Sequence, residues 1–268
     1  MMSLLGKIFG SRKSAAEVAG VPLASLSLAD GPVYVVGDVH GCRSHYRALE
    51  AAIMADAAQL GQAPRIVLLG DLVDRGPETA ALLDDLLIPL RGGQRLAIRG
   101  NHEEMMLAFI ADPLGNRDWL DMGGFETLRS YGLALDPHDL RAMSRRRAEQ
   151  TIAAYLPQDH LDFLERLPFG FVVTGDDQPW ILAHAGFDPA RGLTGQQPES
   201  LIWGGTMPAA GDGLRLVHGH YIRSEIDLAA PAVGIDTGAY KTGILTALRL
   251  AQGRGPQLLN NQSASFSP

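Results

Sequence analysis

Residues 33–41 read VYVVGDVHG. Four β-favouring residues in a row make a short strand. The Gly-Asp-Val-His-Gly that follows turns the chain and leaves an aspartate and a histidine at the strand's carboxyl end. The pattern returns as IVLLGDLVDRG at 66–76 and as LAIRGNHE at 96–103. Runs rich in Ala, Leu and Glu at 45–60, 78–90 and 103–111 read as helices. Pro77 suits the first turn of the second. Strand, turn and helix three times over, in units of about 30 residues, is the βαβ signature.

Outward from this block the pattern changes. Residues 116–168 are mostly helical in pattern and carry Arg145, Arg146 and Arg147, which read as a solvated helix face on an inserted cap. Short β-like runs follow at 171–173, 180–183, 214–217, 232–235 and 244–248, separated by Gly-rich turns. They should build a second sheet. The expected fold is therefore α/β (α+β): two packed mixed β-sheets flanked by helices, in one compact domain. That domain spans 31–255, with a helical insertion at about 116–168 and tails at 1–30 and 256–268.

Composition narrows the partners. A chain of 268 residues buries a core without disulfides or an obligatory structural metal. A formal net charge of −7 argues against a nucleic-acid surface, which needs a basic patch. With Cys42 alone no intramolecular disulfide forms, which fits a reducing, cytoplasmic setting. No apolar run approaches the roughly 20 residues of a membrane span, so no stable membrane insertion is expected. The opening MMSLLGKIFGSRKSA has its basic residues after the apolar ones, the reverse of a secretion signal. It reads as a loosely held tail, with weak membrane-surface contact as the alternative.

In open α/β sheets ligands bind beyond the carboxyl ends of the strands. The turn residues should therefore converge: Asp38 and His40, then Asp71, Asp74 and Arg75, then Asn101 and His102. Later histidines also follow strands, His184 in HAG and His218 and His220 in VHGH. Carboxylate, imidazole and amide together suit manganese, iron or zinc better than calcium. The inventory fits two metals sharing one bridging carboxylate. Other tempting residues have plainer readings. Cys42 is a small, partly buried side chain; Met105 and Met106 are core; His45, His138 and His160 are ordinary surface residues.

The blocks GDVHG, GDLVDRG, GNHEEMM, HAG, HGH and IDTGA run in that order from residue 33 to about 249. In this the chain resembles the phosphoprotein phosphatase branch of the calcineurin-like metallophosphoesterases, above all its bacterial and phage serine/threonine phosphatases. The resemblance implies that Asp38, His40 and Asp71 hold one divalent ion. It implies that Asp71, Asn101, His184 and His220 hold a second, with Asp71 bridging. His220 is taken over His218 because the family places its ligand after the glycine. His102 becomes the general acid, Asp74 the carboxylate that orients it, and Arg75, with Asn101, the phosphate-binding group. The implied reaction is attack of a metal-bridging hydroxide on a phosphomonoester. Two divalent ions are expected, manganese first, with iron or zinc as alternatives. The implied substrate is a phosphorylated serine or threonine of a protein. A symmetrical diadenosine tetraphosphate or another small phosphoester is the alternative.

Two departures bear on the substrate. The family carries a second phosphate-binding arginine two residues after a tryptophan; here Trp203 is followed by Gly204 and Gly205. Arg215 and Arg223 are the candidates to replace it. The Thr-Pro that follows the last ligand histidine is replaced by Tyr221 and Ile222.

Overall fold

The computed structural model describes residues 20–263. The apolar, basic opening on which the membrane-surface reading falls, and the last five residues, lie outside the described residues. Among the described residues ten strands form two five-stranded sheets. The elements in chain order are β1 (Ala24–Ser27), β2 (Val33–Val36), α1 (Arg43–Leu60), β3 (Arg65–Leu68), α2 (Thr79–Leu87), β4 (Gln94–Ala97), α3 (Asn101–Ala111), α4 (Phe125–Ser130), α5 (Pro137–Ala142), α6 (Arg145–Ala153), α7 (Gln158–Glu165), β5 (Gly170–Thr174), β6 (Trp180–Ala183), α8 (Pro198–Trp203), β7 (Arg215–His218), β8 (Ala232–Gly234), α9 (Ala239–Thr242), β9 (Thr246–Ala251) and β10 (Arg254–Asn260). One sheet runs β10-β9-β2-β3-β4, with β2, β3 and β4 parallel; the other runs β1-β5-β6-β7-β8, with β6, β7 and β8 parallel.

The period of two in a strand decides which residues meet. Val33 and Val35 of β2, Val67 of β3 and Leu248 of β9 face the other sheet, where Val173, Leu182, Val217 and Val233 meet them. Their neighbours Tyr34, Val36, Ile66 and Leu68 face the opposite way and pack under α1, α2 and α3. On the far side of the second sheet, Ile181, Ala183 and Leu216 pack against Leu201 and Ile202 of α8. The uninterrupted apolar run at 33–36 thus has a physical reason, because both faces of β2 are covered.

The expected fold class holds, and the element order follows the sequence closely. The tail boundaries shift. Residues 24–27 add β1 in parallel to β5, and β10 extends past residue 255 as an antiparallel edge strand. ASLS carries no β-rich signal, and the Gly-Pro in β10 reads as a break. An edge strand tolerates it because one side needs no ladder partner, and the register shifts between Arg254 and Gln257. The helical stretch 116–168 sends Trp119, Leu120, Leu128, Ile152 and Leu164 into the same core as α2 and α3. Two minor readings change. His160 is buried, bonded to the Tyr131 hydroxyl at 2.8 Å and to Asp84 at 3.2 Å, and is no surface residue. His45 is half-buried, whereas His138 is exposed. Met105 and Met106 are core as read. Among the described residues no helix is long and apolar enough to cross a membrane.

Candidate active site

The loops after β2, β3 and β4 of one sheet meet those after β6 and β7 of the other. Among the described residues, the non-glycine residues with positive φ are His40, Asp71, Asp74, Arg75 and His220, at 45°, 48°, 73°, 68° and 64°. Every one is a residue singled out from the sequence. Such backbone costs roughly 1–3 kcal/mol per residue and persists where surrounding contacts over-determine it.

Tautomers define what the ring nitrogens offer. His184 Nδ1 lies 2.8 Å from the Leu69 carbonyl, which can only accept, so this nitrogen carries the hydrogen. His40 Nδ1 faces the Val73 carbonyl at 2.9 Å in the same way. Each ring therefore turns an unprotonated Nε2 inward. Around His184 Nε2 stand Asn101 Oδ1 at 2.9 Å, His220 Nδ1 at 3.2 Å and Asp71 Oδ1 at 3.4 Å. Across Asp71, its Oδ2 lies 3.5 Å from His40 Nε2. Asp38 adds Oδ1, buried and without a hydrogen-bond partner, while its Oδ2 accepts the His220 N–H at 2.9 Å. Gly219 permits this, since a Cβ there would fall on Asp38 Oδ1.

These inward-facing donor atoms lie close enough together to hold a cation. Burial pushes His40 well below the usual imidazole range, and burial with His184 nearby pushes His220 down to about 4. Both rings are thus held neutral, the form that ligates metals. Burial works against ionising Asp71, but His184, His102, His40 and His220 outweigh it and hold its carboxyl well below the ordinary range. Two groups can each hold an ion and share Asp71: His40, Asp71 and His102, and Asp71, His184 and His220. The first group names His102 where the sequence reading has Asp38. Asp38 Oδ1, buried and without a hydrogen-bond partner, adds a further donor beside that group. His218 turns away, its Nδ1 at the Gly219 carbonyl, 2.9 Å.

His102 Nδ1 donates to Asp74 Oδ2 at 2.6 Å, and its Nε2 accepts from Arg75 Nη2 at 3.0 Å. Arg75 Nη1 reaches His40 Nε2 at 2.9 Å, so one guanidinium spans both rings. Burial alone disfavours charge on His102, but Asp71 and Asp74 outweigh it and raise its pKa.

Three residues in this arrangement had no role assigned from the sequence. Glu103, fully buried, takes backbone N–H groups from Gly100 and Asp71 on Oε2, both at 2.8 Å, and from Leu72 and Val73 on Oε1, at 2.7 and 3.3 Å. One carboxylate thereby ties the loop after β3 to the start of α3. Glu three positions into a helix is a legible capping signal. Asp74 is held by Trp119 Nε1, donating to Oδ2 at 2.7 Å, and by the Thr127 hydroxyl, donating to Oδ1 at 2.8 Å. No sequence signal links Trp119 or Thr127, 45 and 53 residues on, to Asp74.

The substrate side is looser. Beyond Gly205 lies open space, with nothing within 4 Å of where a Cβ would stand. Arg215 does not replace the expected arginine: it stacks on Trp180 at 4.0 Å and donates to the Leu228 and Ala230 carbonyls. Arg223 lies with its Nε against Gly234. Tyr221 and Ile222 are exposed, with Tyr221 stacked edge-on to His220 at 4.7 Å. Cys42 is buried, its thiol pushed up to about 11 by burial, so it is no nucleophile.

The profile of a family described as calcineurin-like phosphoesterase matches residues 31–233. The symmetrical bis(5'-nucleosyl)-tetraphosphatase of Ralstonia nicotianae is 35% identical over 98 residues, which cover 36% of this chain and 32% of that protein. The chain thus spans about a third of the length of that relative. Serine/threonine-protein phosphatase 2 of Salmonella typhimurium is 25% identical over 233 residues, 81% of this chain and 92% of that protein. A solved serine/threonine phosphatase of Saccharomyces cerevisiae superposes with a TM-score of 0.51 at 15% identity, covering 90% of this chain and 84% of that one, and speaks for the fold alone.

Proposed function

The chain belongs to the calcineurin-like phosphoesterase family, and from that premise we propose that it hydrolyses phosphomonoesters, with phosphorylated serine or threonine of a protein as the first substrate reading. Asp38, His40, Asp71, Asn101, His184 and His220 hold two divalent ions in this reading, with manganese favoured. Such ions supply Lewis-acid polarisation of the phosphoryl group and a water of lowered pKa.

The observation that carries the proposal is the Asp74–His102 pair at 2.6 Å, with Arg75 against the far nitrogen of the ring. A scaffold or simple phosphate binder needs no oriented proton donor. Asp74 fixes the His102 tautomer and favours its protonated form. With Arg75 turned from the ring to the phosphate, His102 Nε2 takes up a proton and delivers it to the alkoxide oxygen as the P–O bond breaks. Arg75 offers a planar fork to the non-bridging oxygens of the phosphate, and Asn101 adds a side-chain amide beside it.

A second reading, a dinucleoside tetraphosphate, is favoured by one observation. The position of the second arginine is Gly205 with open space around it, and Arg215 is stacked on Trp180 instead. The test is turnover of a phosphothreonine peptide and of diadenosine tetraphosphate by the manganese-loaded chain. His102→Asn should lose about 10²–10⁴ of the rate while keeping its metal. Absence of turnover on every phosphoester would overturn the proposal.

A further inference from the structure

Arg75 shares an aromatic ring with a second cation. Its guanidinium carbon lies 4.8 Å from the centre of the Tyr240 ring, and Lys241 Nζ lies 5.4 Å from that same centre. The two positive charges therefore stand no more than about 10 Å apart. The Tyr240 ring is half-buried and meets His40 edge-on at 5.3 Å, which fixes it at the border of the metal-ligand group. Its turn is fixed too. Asp236 accepts the Gly238 N–H at 2.8 Å, and the Thr242 hydroxyl donates to the Thr237 carbonyl at 2.8 Å.

The two cations differ in what else they touch. Arg75 is bonded to His40 and His102 and faces inward. Lys241 is exposed and makes no ion pair among the described residues. An ammonium on a flexible stem, held near a ring face, is a point charge suited to phosphate. Arg215, one of the arginines considered for this rim, is committed elsewhere, on Trp180.

We propose that Lys241, laid on Tyr240 beside Arg75, binds a second phosphate of the substrate, and that the substrate is a dinucleoside polyphosphate. This rests on the phosphoesterase reading and takes the second of its two substrates. A phosphate on Arg75 and a later one on Lys241 can belong to one short polyphosphate chain, whereas an isolated phosphoserine offers nothing to Lys241. Hydrolysis breaks a phosphoanhydride P–O bond. Water adds its hydroxyl to the attacked phosphorus, and its proton balances the charge on the departing phosphate.

The experiment compares the manganese-loaded wild type with Lys241→Gln and Lys241→Arg on diadenosine tetraphosphate and 4-nitrophenyl phosphate. Lys241→Gln should lose about tenfold in kcat/KM on the tetraphosphate, mainly through KM, the size of one charge-assisted contact. That loss should exceed the loss on 4-nitrophenyl phosphate at least about fivefold, and Lys241→Arg should retain most of the activity. Equal losses on both substrates, or turnover of 4-nitrophenyl phosphate without turnover of the tetraphosphate, would overturn the subsite. Failure of the wild type on both substrates would overturn the phosphoesterase reading instead. A calorimetric titration of diadenosine tetraphosphate into His102→Asn protein, with and without Lys241→Gln, then decides the subsite without turnover. About tenfold weaker binding supports it, and unchanged binding removes it.

Discussion

The loop at 70–76 and the stretch at 203–222 border the same group of side chains and are built in opposite ways. The first is cross-linked by hydrogen bonds to distant elements. Glu103 takes three of its backbone N–H groups, Asp74 accepts from His102, Trp119 and Thr127, and three of its non-glycine residues carry positive φ. The second has two adjacent glycines, open space at Gly205, and Tyr221 and Ile222 exposed. The difference separates two tasks. Reaction geometry must be over-determined, because displacement of about an ångström can cost a hundredfold in rate. Substrate choice can rest on side chains with few neighbours, which change without unfolding the protein.

Removing the metals tests the cross-linked side most severely. Chelation should abolish phosphoester hydrolysis, since in the proposed reading the reaction depends on the ions that these carboxylates and ring nitrogens hold. It should also lower the Tm. Ions present at about a hundred times their Kd stabilise by roughly 2.7 kcal/mol, or about 5–10 °C for a chain of this size. Calorimetry before and after chelation, with manganese added back, is the measurement. A chelated protein with unchanged Tm and unchanged turnover would remove the metal reading.

Glu103→Gln comes next. The amide keeps one acceptor oxygen and turns an NH₂ group towards backbone N–H donors, so the Asp71 loop loosens. Metal affinity should fall about 10–100-fold, the range for groups that orient ligands, read by manganese titration. Tyr221→Ala, on the open side, should leave that affinity in place. Equal losses in both variants would break the contrast between the two regions.

Trp119→Phe is a finer probe of the same side. It removes the indole donor to Asp74 Oδ2, the oxygen that also holds His102. A hydrogen bond to a charged group contributes about 1.5–3 kcal/mol, so kcat should fall by about tenfold or more, with KM little changed. The loss should be larger for an alkyl phosphate, whose leaving oxygen needs the proton, than for 4-nitrophenyl phosphate. Equal loss on both would make Trp119 a packing residue alone.

Sequence patterns showed the first region better than they showed its supports. Asp38, His40, Asp71, Asn101 and His102 sit beside apolar runs that announce their strands, so both placement and convergence followed from the βαβ pattern. His184 and His220 were legible as strand-end histidines, but their meeting with Asn101 depends on packing one sheet on the other. Trp119 and Thr127 were not legible, because their contacts with Asp74 span some fifty residues of chain with no periodic sign. The positive φ values at five polar residues were equally hidden, since these residue types do not demand such backbone. β1 was missed because four small or weakly β-forming residues become a strand only beside β5. On the open side, Gly205 marked a missing charge, while the joint approach of Arg75 and Lys241 to Tyr240 required coordinates.

The smallest effect on chemistry is expected from the glycine pair, and it separates backbone from side chain within the open region. Gly204 has φ 86° and ψ −172°, a conformation almost confined to glycine, and a Cβ there would fall on the Tyr221 hydroxyl. Gly205 has φ 143° with nothing near its missing side chain. Alanine at either position should therefore lower stability by about 1–3 kcal/mol through the backbone. Only Gly204→Ala also displaces Tyr221 from beside His220. If the Tyr221 ring helps select the substrate, the ratio of kcat/KM on diadenosine tetraphosphate to that on a phosphothreonine peptide should shift about two- to fivefold in Gly204→Ala, corresponding to a kcal/mol or less. It should stay put in Gly205→Ala, with Tm measured alongside to show comparable backbone strain. Matching shifts in both variants would assign the effect to the strained loop itself and take Tyr221 out of substrate selection.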